Sequence, residues 1–158
     1  MKLADFVVTQ AIVPELSHSD RDGVIEELVD ALIEAGSIPE TIRADLIKLI
    51  VDRETKGSTG FGKGVAVPHV KHPKIEKMVA AVGVSPAGVD FNSLDRGPVY
   101  SIFLLLSPED QPDEHLQAME NIFSNLQKDT FRRFLRQSTT QEDVVELIHD
   151  ADSQQLQG

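Results

Sequence analysis

The stretch RETKGSTGFGKGVAVPHVKHP, residues 53 to 73, decides how the middle of this chain is interpreted, because it combines four glycines with two histidines. Its segment 57 to 64 differs by one residue from a nucleotide-binding P-loop, since Gly64 stands where that loop has the hydroxyl that holds magnesium. A P-loop also follows a strand and opens a helix, whereas a helical pattern precedes these glycines and the strand-like segment 65 to 67 follows them. The sequence therefore disfavours nucleotide hydrolysis.

The same glycines suit a second role, in which the loop holds a phosphate group for a short time. Glycine accepts left-handed backbone conformations, so the four glycines of the stretch allow left-handed turns and let main-chain N–H groups come close to an anion. Two hydroxyl donors, from Ser58 and Thr59, stand next to Gly60. We therefore predict that Ser58, Thr59 and Gly60 form a phosphate-binding loop.

His69 follows Pro68 at the end of a strand-like segment and is the candidate nucleophile. A neutral imidazole near pH 7 has a lone pair on one nitrogen, while an acceptor can fix the other nitrogen. A metal site is the alternative, because His69 and His72 could act as ligands together with His115 and an acid. Pro68 and Pro73 bracket the pair and restrict how the two rings converge, so we favour the nucleophile and expect no metal.

His115 lies in the first turn of a helix predicted over residues 112 to 127. Its position falls inside the apolar arc of that helix, which is expected to contain Leu116, Met119, Ile122, Phe123 and Leu126. A buried imidazole needs a polar partner or a ligand. Two interpretations stay open on spacing alone: a residue of an active site, or a core histidine bonded to a backbone carbonyl.

Arg53 ends a helix predicted to begin near Ser37, where Ser-Ile-Pro-Glu forms a capping-box pattern. The apolar stripe of this helix is expected to contain Ile42, Leu46, Leu49 and Ile50. Because Arg53 follows Leu49 by four residues and Leu46 by seven, its guanidinium is expected on the same stripe, facing the core. Alternatively, Arg53 stabilises the C-terminal end of the helix and extends into solvent.

Helical and strand-like patterns alternate along the rest of the chain. A first strand is expected to bury Val7, Val8, Ile12 and Val13, and the helix after it should begin at Ser19 or Asp20 and stop at Gly36. Further strands are predicted at 64–68, 78–86 and 99–108, and further helices at 112–127, 129–137 and 140–150. This order predicts one layered α/β (α+β) domain over residues 1–150, followed by a frayed tail over residues 151–158.

Composition limits the classes of function. The chain has 158 residues, no cysteine, and a formal net charge of −11 from 26 acidic and 15 basic side chains. Disulfides and thiolate zinc sites are therefore excluded, and nucleic acid is repelled unless a basic patch forms; the longest basic run is Arg132-Arg133. No apolar run has the length of a membrane span, so we expect a cytoplasmic protein that neither enters a membrane nor binds nucleic acid.

Two long motifs resemble those of a known family. One runs from Arg53 to His69 as R-E-x-x-x-S-T-G-x-G-x-G-V-A-V-P-H, and the other from Glu114 to Phe123 as E-H-L-x-x-M-x-x-I-F. With them the chain resembles, over residues 3 to 150, the type-2 enzyme IIA domain of the bacterial phosphotransferase system, the fructose/mannitol class. The stretches DFNSLDRGPV and LLSPEDQPDEHL make it most similar to the stand-alone nitrogen-regulatory form.

The resemblance implies a mixed β-sheet flanked by helices, as in the mannitol-specific type-2 enzyme IIA fold. It implies that His69 is the phosphorylated nucleophile, that His115 is the second active-site histidine, and that Arg53 is the nearby phosphate-stabilising cation. The donor is expected to be a small HPr-like phosphocarrier protein, and no cofactor is required. The family has a small residue after the phosphorylated histidine, whereas this chain has Val70.

Two functions are compatible with this resemblance. In the first, the chain is a phosphohistidine phosphocarrier, and a regulated partner protein senses its phosphorylation state. The chain is then a component of a phosphotransferase, and it can also act as a stoichiometric carrier. In the alternative, it is a sugar-transport IIA component that passes phosphate to a fructose/mannitol-type IIB domain. The sequence contains no IIB or membrane domain, and this favours the regulatory function as an expectation.

Overall fold

A six-stranded mixed sheet forms the centre of the computed structural model, which describes residues 1–153. Its strands are β1 (Val7–Val13), β2 (Gly60–Gly62), β3 (Val65–Ala66), β4 (His69–His72), β5 (Val79–Val89) and β6 (Val99–Pro108). Their order is β1-β5-β6-β3-β2, and β4 also pairs with β6. The pairs β1–β5, β3–β6 and β4–β6 are parallel, whereas β5–β6 and β2–β3 are antiparallel.

Helices cover both faces of the sheet. They are α1 (Arg21–Glu34), α2 (Arg43–Lys56), α3 (Pro112–Leu126), α4 (Asp129–Gln137) and α5 (Gln141–Asp152), with short 3-10 turns at Leu3–Asp5 and Glu40–Ile42. One hydrophobic cluster joins α1 and α2 to the sheet, and a second cluster joins α3, α4 and α5 to its other face. Among residues 1–153, no helix combines the length and the apolar character that crossing a membrane requires.

The strand β6 connects the two hydrophobic clusters. Its sequence VYSIFLLLSP is buried along its whole length except at the half-buried Tyr100, as is typical of a strand covered on both faces. Its side chains alternate between the layers, because Phe103 and Leu105 pack with α3, α4 and α5 while Ile102 and Leu104 pack with α1 and α2. β6 is therefore the common support of both layers.

Several predicted elements are confirmed. Helix α1 begins after Asp20, whose side chain accepts a hydrogen bond from the Gly23 N–H, and Gly36 follows its end with a φ of 75°. The three C-terminal helices lie where their apolar periodicity placed them, to within two residues at each end. The layered architecture, a mixed sheet between helices, is the predicted one.

Other predictions are wrong, for identifiable reasons. Ser37 does not cap α2, because a 3-10 turn beginning at Glu40 precedes that helix. Leu49 and Leu116 are 40% and 60% exposed, although both were expected on apolar stripes. The strands β2 and β4 were not predicted, because each is too short to show an alternation of apolar and polar residues. Their pairing with β3 and β6 defines them.

The last helix extends slightly beyond the expected domain boundary. α5 ends at Asp152, two residues past the boundary predicted at residue 150, and Ser153 follows it in a turn. Residues 151–153 of the tail predicted for residues 151–158 thus belong to α5 and the turn after it, and residues 154–158 lie outside the described residues.

Candidate functional site

His69 is the first residue of β4, and its parallel pairing with β6 places it beside Leu105. Its Nδ1 lies 2.7 Å from the backbone oxygen of Val67. A carbonyl oxygen can only accept, so Nδ1 carries the proton of the neutral ring and the lone pair remains on Nε2. The half-buried imidazole therefore has a fixed tautomer with Nε2 as the available nitrogen.

His115 lies next to this ring, so the structure brings the two predicted histidines together. Their ring centroids are 5.6 Å apart, with 48° between the planes. His115 is only 6% exposed, and its Nδ1 lies 2.7 Å from Oγ of Ser107, which is fully buried near the end of β6. The polar partner of His115 is thus a hydroxyl of the neighbouring strand, and not the backbone carbonyl of the core-histidine alternative.

The position of His115 lowers its basicity. Burial of the ring, assisted by the nearby His69 and by the positive charge of Lys71, lowers its pKa from 6.5 to about 4. Lys71 stands two residues after His69 in β4 and therefore projects from the same face of the sheet. His115 is neutral near pH 7, and Lys71 adds a cation that the sequence analysis did not assign to the site.

Arg53 lies in the last turn of α2, with its side chain exposed. Its Nη1 donates a 2.8 Å hydrogen bond to the backbone oxygen of Gly57, and no hydrogen bond or ion pair within residues 1–153 joins it to either histidine. The expectation that Arg53 faces the core is wrong, because the buried stripe of α2 is Leu46, Ile50 and Glu54. The guanidinium caps the end of the helix in this structure.

Glu54 is the buried polar residue of α2, and the sequence analysis gave it no role. It is only 2% exposed. Its carboxylate accepts hydrogen bonds from the backbone N–H of Thr59 at 2.9 and 3.2 Å and from Oγ1 of Thr59 at 2.7 Å. The signal for this role was its spacing of four residues from Ile50, which continues the buried stripe. Glu54 ties the loop after α2 to the helix itself.

The residues predicted to form a phosphate-binding loop form hydrogen bonds within the protein. The Thr59 N–H points to Glu54, and the Gly60 N–H donates to Oγ of Ser58 at 2.9 Å. The Gly60 backbone oxygen accepts a 2.7 Å hydrogen bond from Oγ of Ser93. The donors of Ser58, Thr59 and Gly60 therefore hold the loop in place in this structure.

The glycines of this stretch differ in their conformations. Gly62 and Gly64 have φ values of 110° and 75°, and Lys63 between them has a φ of 60°. Two consecutive positive values at Lys63 and Gly64 form the tight turn of the β2–β3 hairpin. Gly57, with a φ of 169°, is extended, and Gly60 is not left-handed either, so of the four glycines Gly62 and Gly64 use the left-handed freedom that all four allow.

His72 faces the opposite layer. Its Nε2 lies 2.7 Å from Oδ2 of Asp45 on α2, and its Nδ1 accepts a hydrogen bond from the backbone N–H of Lys74. Because His69 and His72 are three residues apart in one strand, their rings project from opposite faces. Within residues 1–153, no group of three or more potential ligands is arranged to hold a metal ion. The metal alternative, which requires both rings to converge, has no support from this geometry.

The chain is similar to members of one protein family along nearly its whole length. The sequence model described as "Phosphoenolpyruvate-dependent sugar phosphotransferase system, EIIA 2" matches residues 6–151. The Nitrogen regulatory protein of Pseudomonas aeruginosa is 34% identical over 132 residues, which cover 84% of each chain. The fructose-specific EIIABC component of Bacillus subtilis is 29% identical over 152 residues, which cover 96% of this chain but only 24% of that protein.

Solved structures have the same fold. The nitrogen regulatory protein IIA-Ntr of Neisseria meningitidis superposes with a TM-score of 0.82 at 27% identity, covering 92% of this chain and 98% of that one. The IIA mannitol protein of Escherichia coli superposes with a TM-score of 0.74 at 18% identity, covering 89% and 97% of the two chains. The second likeness concerns the fold alone, and it confirms the predicted mannitol-type architecture.

The lowered pKa of His115 predicts a specific pH dependence of stability. Folded His115 binds a proton near pH 4, whereas its ordinary pKa in the unfolded chain is 6.5, so the unfolded state binds more protons between these values. The free energy of unfolding should therefore decrease as the pH falls through this window, and His115→Asn should flatten that decrease. Urea unfolding at a series of pH values, with imidazole NMR shifts, measures both effects.

The exposed His149 on α5 offers a matched control, since His149→Asn makes the same substitution outside the site. A native His115 ring that titrates near its ordinary value would contradict the assignment.

Glu54→Gln should loosen the loop that follows α2. The glutamine amide would place an N–H group where a carboxylate oxygen now accepts hydrogen bonds. The backbone N–H and the hydroxyl of Thr59 would then share one acceptor oxygen. The free energy of unfolding should fall by about 1–3 kcal/mol, the usual cost of leaving a buried polar group unsatisfied. Amide hydrogen exchange at Thr59 and Gly60 should accelerate. The exposed Glu76→Gln serves as control, and unchanged exchange at Thr59 would show that Glu54 does not order the loop.

Proposed function

The chain belongs to the EIIA type-2 family of the phosphoenolpyruvate-dependent sugar phosphotransferase system, and from this premise we propose that it is a phosphohistidine phosphocarrier, with residues 1–150 as its functional domain. The phosphoryl group enters at Nε2 of His69. The observation that carries the proposal is the 2.7 Å hydrogen bond from Nδ1 of His69 to the Val67 carbonyl, which leaves Nε2 unprotonated. An HPr-like phosphocarrier protein is the proposed donor, and the exchange takes place in the cytoplasm.

The transfer step needs no co-reactant. The lone pair on Nε2 of His69 attacks the phosphorus of the donor's phosphohistidine in line, so a new N–P bond forms as the donor's N–P bond breaks. The leaving imidazole of the donor keeps the electron pair of the broken bond. The Nδ1 proton of His69 stays with the ring, and its bond to Val67 stabilises the positive charge that develops there.

His115 is proposed to bind the phosphoryl group as a neutral donor. If the Ser107 hydroxyl donates to Nδ1 of His115, the ring proton resides on Nε2, which can donate to a phosphoryl oxygen. The lowered pKa keeps this tautomeric form uncharged near pH 7. A neutral donor stabilises the transferred group without trapping it as strongly as an imidazolium would.

Cations complete the proposed site. Lys71 projects from the same face of β4 as His69, and Arg53 is proposed to bind the phosphoryl oxygens after it gives up its bond to the Gly57 oxygen. A guanidinium can bind two oxygens of a phosphoryl group at once. Ser58, Thr59 and Gly60 support Arg53 indirectly by ordering the adjacent loop, and direct contact with phosphate would require their present hydrogen bonds to open.

A regulatory output is the favoured role of the phosphorylated state. It is supported by the 34% identity to a Nitrogen regulatory protein and by the high TM-score with IIA-Ntr. Phosphorylation adds about two negative charges to a chain of net charge −11, which changes the docking of a partner near His69. Transport is the second candidate, because the fructose-specific EIIABC component is 29% identical; the acceptor is then a IIB domain.

Incubation with a phosphorylated HPr-like carrier should add one acid-labile phosphate at Nε2 of His69. The reason is that Nδ1 is engaged with Val67. Phosphorus NMR distinguishes the two ring nitrogens, and mass spectrometry locates the residue. His69→Ala should abolish the modification, while His149→Ala, at an exposed position on α5, should leave it unchanged. Phosphate on His72 or His115, or on Nδ1, would overturn the assignment.

Regulation and transport can be separated by partner capture. If the output is regulatory, phosphorylated protein and His69→Ala protein should retain different partners, with affinity differences of about 5- to 150-fold, as is usual for such coupling. Quantitative pull-down followed by calorimetry measures this. Should both forms retain the same proteins while phosphate passes rapidly to a fructose/mannitol-type IIB domain, the transport function is the correct one.

A further inference from the structure

A second region of the molecule gathers positive charge. An open cavity of about 690 Å³ lies between α4, the β2–β3 turn and the start of β6. Its basic lining residues are Lys63, Arg132, Arg133 and Arg136, and its acidic ones are Asp95 and Asp129. In a chain of net charge −11, positive side chains outnumber negative ones here. The cluster extends the basic run Arg132-Arg133 with Arg136 of the same helix and with Lys63, which is distant in sequence.

This cavity is separate from the site at His69. β6 runs past both the cavity and His69, so its residues give the distance between them. At the cavity Val65 pairs with Ser101, whereas His69 pairs with Leu105. Four residues of a strand span about 13 Å, at roughly 3.3 Å per residue. A ligand in the cavity therefore has its own binding groups.

Three of the four cations form no ion pair with a carboxylate of residues 1–153. Arg132 forms an ion pair with Asp129 and donates a 2.7 Å hydrogen bond to the Leu126 oxygen. Asp95 accepts hydrogen bonds from the Ser93 hydroxyl and the Gly97 N–H, which are neutral donors, so its negative charge remains in the lining. Within residues 1–153, no carboxylate forms an ion pair with the remaining three, which are Lys63, Arg133 and Arg136.

The guanidinium of Arg136 stacks on the ring of Tyr100. Its guanidinium carbon lies 3.4 Å from the ring centroid of Tyr100. A Cβ added at Gly64 would stand 2.9 Å from Cδ2 of that ring, and one added at Gly88 would stand 3.1 Å from Cε1, so only glycine leaves room for the ring on either side. Stacking on the ring face leaves the N–H groups at the edge of the guanidinium free to donate.

We propose that this cavity binds a small ligand that carries two or more phosphate groups, through Lys63, Arg133 and Arg136. Arg133 and Arg136 stand three residues apart on α4 and therefore face the same side, opposite Lys63 of the hairpin turn. Four cations against two carboxylates give the lining a net charge of +2, which attracts a pyrophosphate group, and guanidinium forks bind phosphate oxygens in pairs. The cavity volume is within the roughly 300–1,000 Å³ of small-molecule pockets.

Titration of the ¹⁵N-labelled protein with inorganic pyrophosphate tests the proposal. Amide signals of Gly64, Tyr100 and Arg133 should shift and saturate, and sodium chloride at matched ionic strength should not reproduce the effect. Inorganic phosphate should bind more weakly, because it engages fewer of the cations. Arg133→Gln with Arg136→Gln should weaken pyrophosphate binding by about tenfold or more, the effect of losing charge-assisted hydrogen bonds.

Lys48→Gln is the matched control, because it removes one exposed positive charge on α2, in the other helical layer, and should leave the affinity unchanged. The single variant Arg133→Gln, at an exposed position, provides a second test that does not depend on the Tyr100 stack. Equal affinity of these variants and the unaltered protein would overturn the proposal. So would shifts confined to the surroundings of His69 and His115, or shifts that salt alone reproduces.

Discussion

The burial of β6 on both faces is the constraint on which the rest of the molecule depends. Because β6 pairs with β5 on one side and with β3 and β4 on the other, it fixes the position of every central strand. Its parallel register with β4 sets His69 beside Leu105, and Ser107 follows two residues later on the same face. Ser107 then meets His115 from α3. The distance between the two imidazoles therefore follows from a strand register and one helix position.

Burial also determines which polar groups can be used for chemistry. Glu54 and His72 are almost fully buried, and each is held by hydrogen bonds, to Thr59 and to Asp45 with Lys74. Leaving such buried groups without hydrogen bonds would cost free energy. Their hydrogen bonds therefore stabilise the loop and the strand around His69. His69 differs from them, because among residues 1–153 only its Nδ1 has a hydrogen-bond partner. An imidazole with one fixed and one free nitrogen is prepared for attack without further rearrangement.

Sequence reasoning succeeded where the signal is local. The helices α1 and α3 to α5 carry their own apolar periodicity, and His115 was expected on the buried side of α3, where it lies. It failed where non-local contacts decide. β4 exists only through its pairing with β6. The buried stripe of α2 continues from Ile50 to Glu54, so Arg53, for which a core-facing position was one of two expectations, is exposed. Leu116, beside His115, is exposed although the apolar arc of α3 was expected to contain it.

The charge distribution links the two anion-binding places that are proposed above. The chain is acidic overall, yet Lys71 lies near His69 and four basic side chains line the cavity beside α4. Their separation along β6 is about 13 Å, which exceeds the screening length of roughly 8 Å at physiological ionic strength. A phosphoryl group on His69 therefore exerts only a weakened direct field on a ligand in the cavity. Any strong coupling between the phosphoryl group and a ligand in the cavity would have to pass through β6, the strand that both places share. A strand buried on both faces moves only when the helical layers packed on it also move.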